Sequence, residues 1–275
     1  MGDLDRAIPN LSLSPDGRHV AMSRAANGNV DIWTLDLGRD VLSRVTFDPA
    51  AESVVVWSPD GTRVAFNSNR TGIYDLYVKS ATETGNEDLL LSTKENKAPV
   101  DWSSDGHFLL YRSPGKTTGF DLWAIPVDGD RKPFPVVQTT FEERDAQFSP
   151  DGQWIAYQSN ESGRVEIYVQ QFPKGRREKI STGGGAQVRW RRDGKELFYI
   201  TPDGRLMAVP IRTNSGRFTI EAGVPAPLFA THVGGAVQGA NLQQYAVSPD
   251  GRRFLMSALV EPRTPAITVI LNWRP

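Results

Sequence analysis

The sequence predicts an all-β protein, a six-bladed β-propeller built from four-stranded antiparallel blades. Three observations predict it. A motif ending in Asp-Gly returns six times, at Ser14-Pro15-Asp16-Gly17, Ser58-Pro59-Asp60-Gly61, Ser103-Ser104-Asp105-Gly106, Ser149-Pro150-Asp151-Gly152, Arg191-Arg192-Asp193-Gly194 and Ser248-Pro249-Asp250-Gly251. Its glycines are 44, 45, 46, 42 and 57 residues apart, and a period of about 40–45 residues is that of a propeller blade. No stretch keeps a 3.6-residue apolar period, while 25 glycines and 19 prolines suit a chain rich in turns.

The elements of one blade follow in order. The first strand is a short apolar run that closes on a large residue, as in Val54-Val55-Val56-Trp57 and Ala146-Gln147-Phe148. Asp-Gly then makes a hairpin turn, because glycine accepts the positive φ the turn requires. A second apolar run follows, such as Val64-Ala65-Phe66 or Trp154-Ile155-Ala156-Tyr157. The third strand opens on an acid, at Asp31, Asp75, Asp121 and Glu166, and a more polar fourth strand closes the unit. Apolar content falls from the first strand to the last. That gradient predicts the first strand at the axis and the last on the solvated rim. The blades are expected near 8–47, 52–92, 97–140, 143–182, 185–231 and 240–275. The 57-residue step places an insertion in blade five, between Thr213 and Gln238. Residues near Met1 to Ile8 are the expected source of a strand that closes blade six.

Composition narrows the function. A net charge of −1 lacks the basic excess of a nucleic-acid binder. With no cysteine, disulfides and thiolate chemistry are excluded. No run of 18 apolar residues is long enough for a membrane-spanning helix, so no membrane insertion is expected. The start, Met1-Gly2-Asp3-Leu4-Asp5-Arg6, lacks the basic-then-apolar build of a secretory signal, as in a cytoplasmic protein or a piece of a longer chain.

The repeated pattern of Phe/Trp-Ser-Pro-Asp-Gly, Ile-Ala-Phe/Tyr-x-Ser-Asn and Asp-Ile/Leu-Tyr/Trp-Val resembles the WD-like repeats of TolB-type propellers. Blades two and four match best, from Val56 to Val78 and from Gln147 to Val169. Blade five departs, with Arg191-Arg192 in place of Ser-Pro and no acid at Gly204-Arg205-Leu206. The resemblance implies a periplasmic or extracytoplasmic setting and a protein or peptide partner. Related propellers also form the C-terminal part of bacterial sensor or kinase-like chains, and gate peptidases of the prolyl oligopeptidase type.

A search for chemistry returns little. There is no Gly-x-Ser-x-Gly elbow. His19 and His107 sit beside their Asp-Gly turns, and His232 has no histidine neighbour in sequence. The repeated Asp-Gly acids read as turn residues that accept backbone hydrogen bonds. A hairpin salt bridge from Arg70 to Asp75 is the reading for the third-strand acids. Gly183-Gly184-Gly185 lacks the Lys-Ser/Thr of a phosphate loop, and the repeat-equivalent tryptophans read as packing between blades. The expectation is a monomeric binding module with no catalytic residue, no metal and no cofactor. The rival reading is a lyase or lactonase-type propeller with a metal in its channel.

Position supplies the candidate site. Propellers bind at the mouth of the central channel, built by the residues that begin the innermost strands. Here those are Asn10, Glu52, Ser53, Lys97, Arg144, Asp145, Gln187, Gln243 and Gln244, which differ from blade to blade as a tailored surface would. Asp101, Gln147 and Arg189 are polar within otherwise apolar first strands, and are expected to line the channel.

Overall fold

The computed structural model describes residues 10–82, 85–115, 119–214, 219–231, 233 and 243–257, and the backbone of 267–270. These form six antiparallel sheets and no helix, hence none long and apolar enough to cross a membrane. Blade one is β1 (Leu11–Leu13), β2 (His19–Ala26), β3 (Asn29–Asp36) and β4 (Val41–Arg44). Blade two is β5 (Glu52–Trp57), β6 (Arg63–Ser68), β7 (Asp75–Ser80) and β8 (Glu87–Leu91). Blade three is β9 (Ala98–Trp102), β10 (Phe108–Pro114), β11 (Phe120–Pro126) and β12 (Phe134–Val137). Blade four is β13 (Glu143–Phe148), β14 (Trp154–Ser159), β15 (Glu166–Gln171) and β16 (Arg177–Lys179). Strand order within each of these sheets follows the chain.

Blade five runs through β17 (Ala186–Trp190), β18 (Glu196–Ile200), β19 (Arg205–Asn214), β20 (Thr219–Ala222) and β21 (Ala226–Ala230). The start of β19 pairs with β21, while its far half, Ile211 to Asn214, folds back on β20. Much of the extra length expected after Thr213 is therefore a hairpin that prolongs the third strand. Described blade six comprises β22 (Tyr245–Val247), β23 (Phe254–Ser257) and β24 (Ile267–Ile270). The predicted closing segment, Met1 to Ile8, lies outside the described residues, as do His232 and most of 232–242.

The repeated turn explains both itself and the ring. In five blades the serine hydroxyl donates to the aspartate two residues on, at 2.5–2.6 Å, and accepts the backbone N–H five residues on. The aspartate also takes the N–H that follows the glycine. These bonds hold the carboxyls of Asp16, Asp60 and Asp250 below the ordinary value; at Asp60, the Ser58 hydroxyl and the Thr62 N–H hold it down at about 2. All six turn glycines have φ between 69° and 80°, which costs a side-chain-bearing residue energy. Proline carries the turn to its neighbour. A Cβ at Gly61 would stand 3.6 Å from Pro15, at Gly106 3.8 Å from Pro59, and at Gly194 3.8 Å from Pro150. At Gly17 it would meet Pro249 at 3.0 Å, so blade six abuts blade one and the ring closes.

The core lies between blades. Trp57 packs with Ala21, Ile32 and Val45 of blade one, Trp102 with Val56 and Leu76 of blade two, and Trp190 with Trp154 and Ile167 of blade four. Tryptophan at this repeat position buries one blade's large ring against the preceding blade. The third-strand acids are likewise interior groups. Asp31, Asp75, Asp121 and Glu166 are buried; Asp31 takes Arg44 at the end of the fourth strand (2.8 Å), and the others hold the linker that follows it, as in Ser92 to Asp75 (2.9 Å) and Gln138 to Asp121 (3.2 Å). Gly184 N donates to Glu166 at 3.0 Å, so the triple glycine is a fitted linker.

One expected pair is not formed. Arg70 turns away from Asp75 to Glu52 (2.6 Å), Glu87 (2.5 Å) and Asp48 (3.5 Å), and stacks over Tyr77. Asp75 takes Lys97 at 2.9 Å instead. Arg70 stands in the turn between the second and third strands, where its side chain reaches the start of the first strand and the start of the fourth. Both offer carboxylates.

Candidate functional site

The innermost strands enclose a channel of about 440 Å³. Its wall is set by one position of the repeat, five residues before each turn glycine: Ser12, Val56, Asp101, Gln147, Arg189 and Ala246. Asp101, Gln147 and Arg189 thus line the channel as the sequence suggests. Three consecutive blades contribute polar groups, and the other three contribute small or apolar ones.

The acceptors at this position hold the ring together. Ser12 Oγ accepts the Trp57 N–H at 3.3 Å, Asp101 Oδ2 the Phe148 N–H at 2.8 Å, and Gln147 Oε1 the Trp190 N–H at 2.7 Å. Each bond runs from one blade to the next. Arg189 occupies the equivalent place but can only donate. Among the described residues its guanidinium makes one hydrogen bond, to Val188 O at 3.0 Å.

A bulge shapes the wall at its upstream end. In blades two to five, one extra residue of the inner strand stands opposite its partner strand. Such an insertion bends a strand and re-aims side chains. Val54, Asp145 and Gln187 hold positive φ there, at 21°, 49° and 56°, a conformation that non-glycine residues seldom adopt.

The nine mouth residues divide at this bulge. Asn10, Asp145 and Gln243 reach the channel; the other six do not. Glu52 (0% exposed), Lys97 (2%) and Gln187 (0%) lie inside the wall rather than on a solvated loop. Glu52 is held by Arg70, Lys97 by Asp75, Thr93 and Glu95 O, and Gln187 by Gln158 and Gln244. Ser53 donates to Asn67 at 2.9 Å, and Arg144 pairs with Glu142 and stacks on Phe120. Asn10 accepts the Val55 N–H at 2.9 Å, another bond from one blade to the next. Variation among these positions therefore records how each blade fastens its own first strand. Polar type and loop position alone gave no sign of that burial.

Electrostatically the channel is a mixed site. Burial pushes the Asp101 carboxyl up to about 7, against the Phe148 N–H and Arg189, which favour its charge. Burial raises Asp145 too, while Arg112, Arg189 and Arg144 oppose the rise. Burial pulls Arg112 and Arg189 below the usual arginine value. Sequence reasoning missed Arg112, which comes from β10 behind the wall. Its only signal was an arginine in an apolar second strand. His19 is half-exposed, 3.7 Å from Asp36, and His107 is exposed. Among the described residues no three His, Asp or Glu side chains gather as metal ligands would.

Comparisons agree on the fold. The family model of the TolB beta propeller domain matches residues 8–131. The Tol-Pal system protein TolB of Helicobacter pylori is 27% identical over 151 residues, 53% of this chain and 35% of that protein. The chain thus covers about a third of the length of the curated relatives it matches. TolB from Acinetobacter baumannii superposes with a TM-score of 0.68 at 17% identity, covering 98% of this chain and 62% of that one. An oligogalacturonate lyase solved with manganese gives 0.64 at 12% identity, covering 98% of this chain and 75% of that one. At such identities the superpositions speak for the fold alone. The repeat and the six sheets make the chain a β-propeller, and its first half is similar to the TolB beta propeller domain.

Proposed function

We propose that this propeller is a non-catalytic binding module that receives a protein or peptide partner at the channel face. The observation that carries the reading is the make-up of the upstream mouth. Asn10, Asp145 and Gln243 reach the channel there, and Ser53, Arg144 and Gln244, which neighbour them in the chain, are partly exposed. The mouth carries both signs of charge, which suits a polypeptide better than a polyphosphate. Likeness to a Tol-Pal system protein supports a protein partner and a periplasmic setting. The test is photo-crosslinking, with a reactive residue placed at Ser53 or Gln244 and, as controls, at Leu89 or Val41 on the outer strands. Adducts at the mouth and not at the rim support the reading. Adducts confined to the rim reject it.

The enzyme reading draws on the manganese-bound lyase neighbour. Among the described residues the channel offers Asp101 and Asp145 as carboxylates, faced by Arg189. Metal analysis of the purified protein separates the readings. Stoichiometric manganese or calcium that survives dialysis would favour the lyase class.

A further inference from the structure

The channel wall carries two chemically different sets of groups, buried acceptors and a guanidinium. Asp145 is 7% exposed and Gln243 4%, and both reach the cavity. Asp145 Oδ2 and Gln243 Oε1 have no hydrogen-bond partner among the described residues. The amide of Gln243 is oriented, since its Nε2 donates to Tyr245 O at 2.9 Å. Its free oxygen is therefore an acceptor without a donor. Buried acceptors left alone cost about 1–3 kcal/mol each. Asp145 is also held at φ 49°, a strained backbone of the kind that clusters at ligand sites.

Arg189 stands in the same wall, deep in the channel yet open to it, with one hydrogen bond to Val188 O. A guanidinium has five donors in a planar fork that matches a carboxylate. Across the ring, Val54 and Val56 present an apolar surface. A cavity of about 440 Å³ lies in the range that holds small ligands.

We propose that the central channel binds a small zwitterion, a free α-amino acid with an apolar side chain. Its carboxylate lies on Arg189, its ammonium group is accepted by Asp145 and Gln243, and its side chain faces Val54 and Val56. A bare anion would leave the two acceptors unsatisfied and face Asp101 and Asp145. A bare cation would face Arg189. A zwitterion satisfies both sets. This site does not require a protein partner at the mouth, and crosslinking at Ser53 can fail while it stands.

The test is calorimetric titration of the purified protein with leucine, valine, glutamate and lysine. Acetate and ethylammonium serve as single-ended probes. Leucine or valine should bind with Kd below about 10 mM and raise the melting temperature, while neither single-ended probe does so at the same concentration. Arg189→Met and Asp145→Asn should each weaken leucine at least about tenfold, with the near-ultraviolet circular dichroism spectrum kept. The proposal is overturned if no amino acid binds. It is equally overturned if acetate or ethylammonium binds as well as leucine, results that need no variant to fold.

Discussion

Blades four and five do the same structural task with different chemistry. In blade four, Ser149 donates to Asp151 at 2.5 Å and takes the Trp154 N–H at 2.9 Å. In blade five, Arg191 grips Asp193 with two bonds of 2.7 Å and reaches Glu196 at 2.6 Å. The turn keeps its shape, with φ 72° at Gly194 against 70° at Gly152. Where blade four opens its third strand on buried Glu166, blade five has none; Thr231 ties its linker to Gly204 O at 2.7 Å. Inside the channel, Gln147 accepts from the next blade and Arg189 does not. The backbone shape of the turn is therefore held fixed while the side-chain hydrogen bonds that support it change. At the channel wall, by contrast, the blade-to-blade bond itself has been given up.

The largest expected effect breaks this comparison at the wall. Gln147→Ala strands the buried Trp190 N–H and should cost about 1–3 kcal/mol in urea denaturation. Arg189→Ala removes no acceptor and should cost less; equal losses would mean that Arg189 fastens blade six by other contacts. A smaller effect concerns pH. Folding raises the Asp101 carboxyl from an ordinary 3.8 to about 7. Between those values the folded chain holds a proton that the unfolded chain has lost. Its contribution to stability is thus full below about pH 4, falls as pH rises, and is gone above about pH 7. Asp101→Asn keeps the acceptor for Phe148 and lacks this titration. Its melting temperature should fall less than the parent's between pH 4 and 7.5, and parallel profiles would contradict the assignment. The smallest effect is at the turn. Arg191→Ser restores the pattern of the other blades and should change stability by only about 0.5 kcal/mol, since partly exposed ion pairs contribute little.

Most of the fold was legible because a propeller repeats its chemistry. Six Asp-Gly turns identify six hairpins without any contact being known. Asp101, Gln147 and Arg189 were legible as channel residues because polar side chains interrupt apolar strands there. Glu52, Lys97 and Gln187 were misplaced for a physical reason. A polar residue at a strand's start reads as solvated, and only the fold reveals Arg70, Asp75 and Gln244 waiting beside it. The bulges left no mark either. Their extra residue is valine in blades two and three, aspartate in blade four and glutamine in blade five, none of which announces positive φ or an added residue. Arg112 escaped because its partners come from another strand.

The junction of blades six and one has a mechanical consequence. It is made by Leu11 N on Gln243 O at 3.1 Å, by Gly17 against Pro249, and by Leu11, Val20 and Met22 against Ala246 and Leu255. Arg192 adds a strap from blade five to Pro15 O at 2.9 Å, bypassing blade six. Blades one to five are also joined in turn by short linkers of the described residues. Blades six and one, among the described residues, are held by contacts alone. Force that separates the first and sixth blades loads these contacts and the Arg192 strap, while blades one to five stay tethered through the chain that links them.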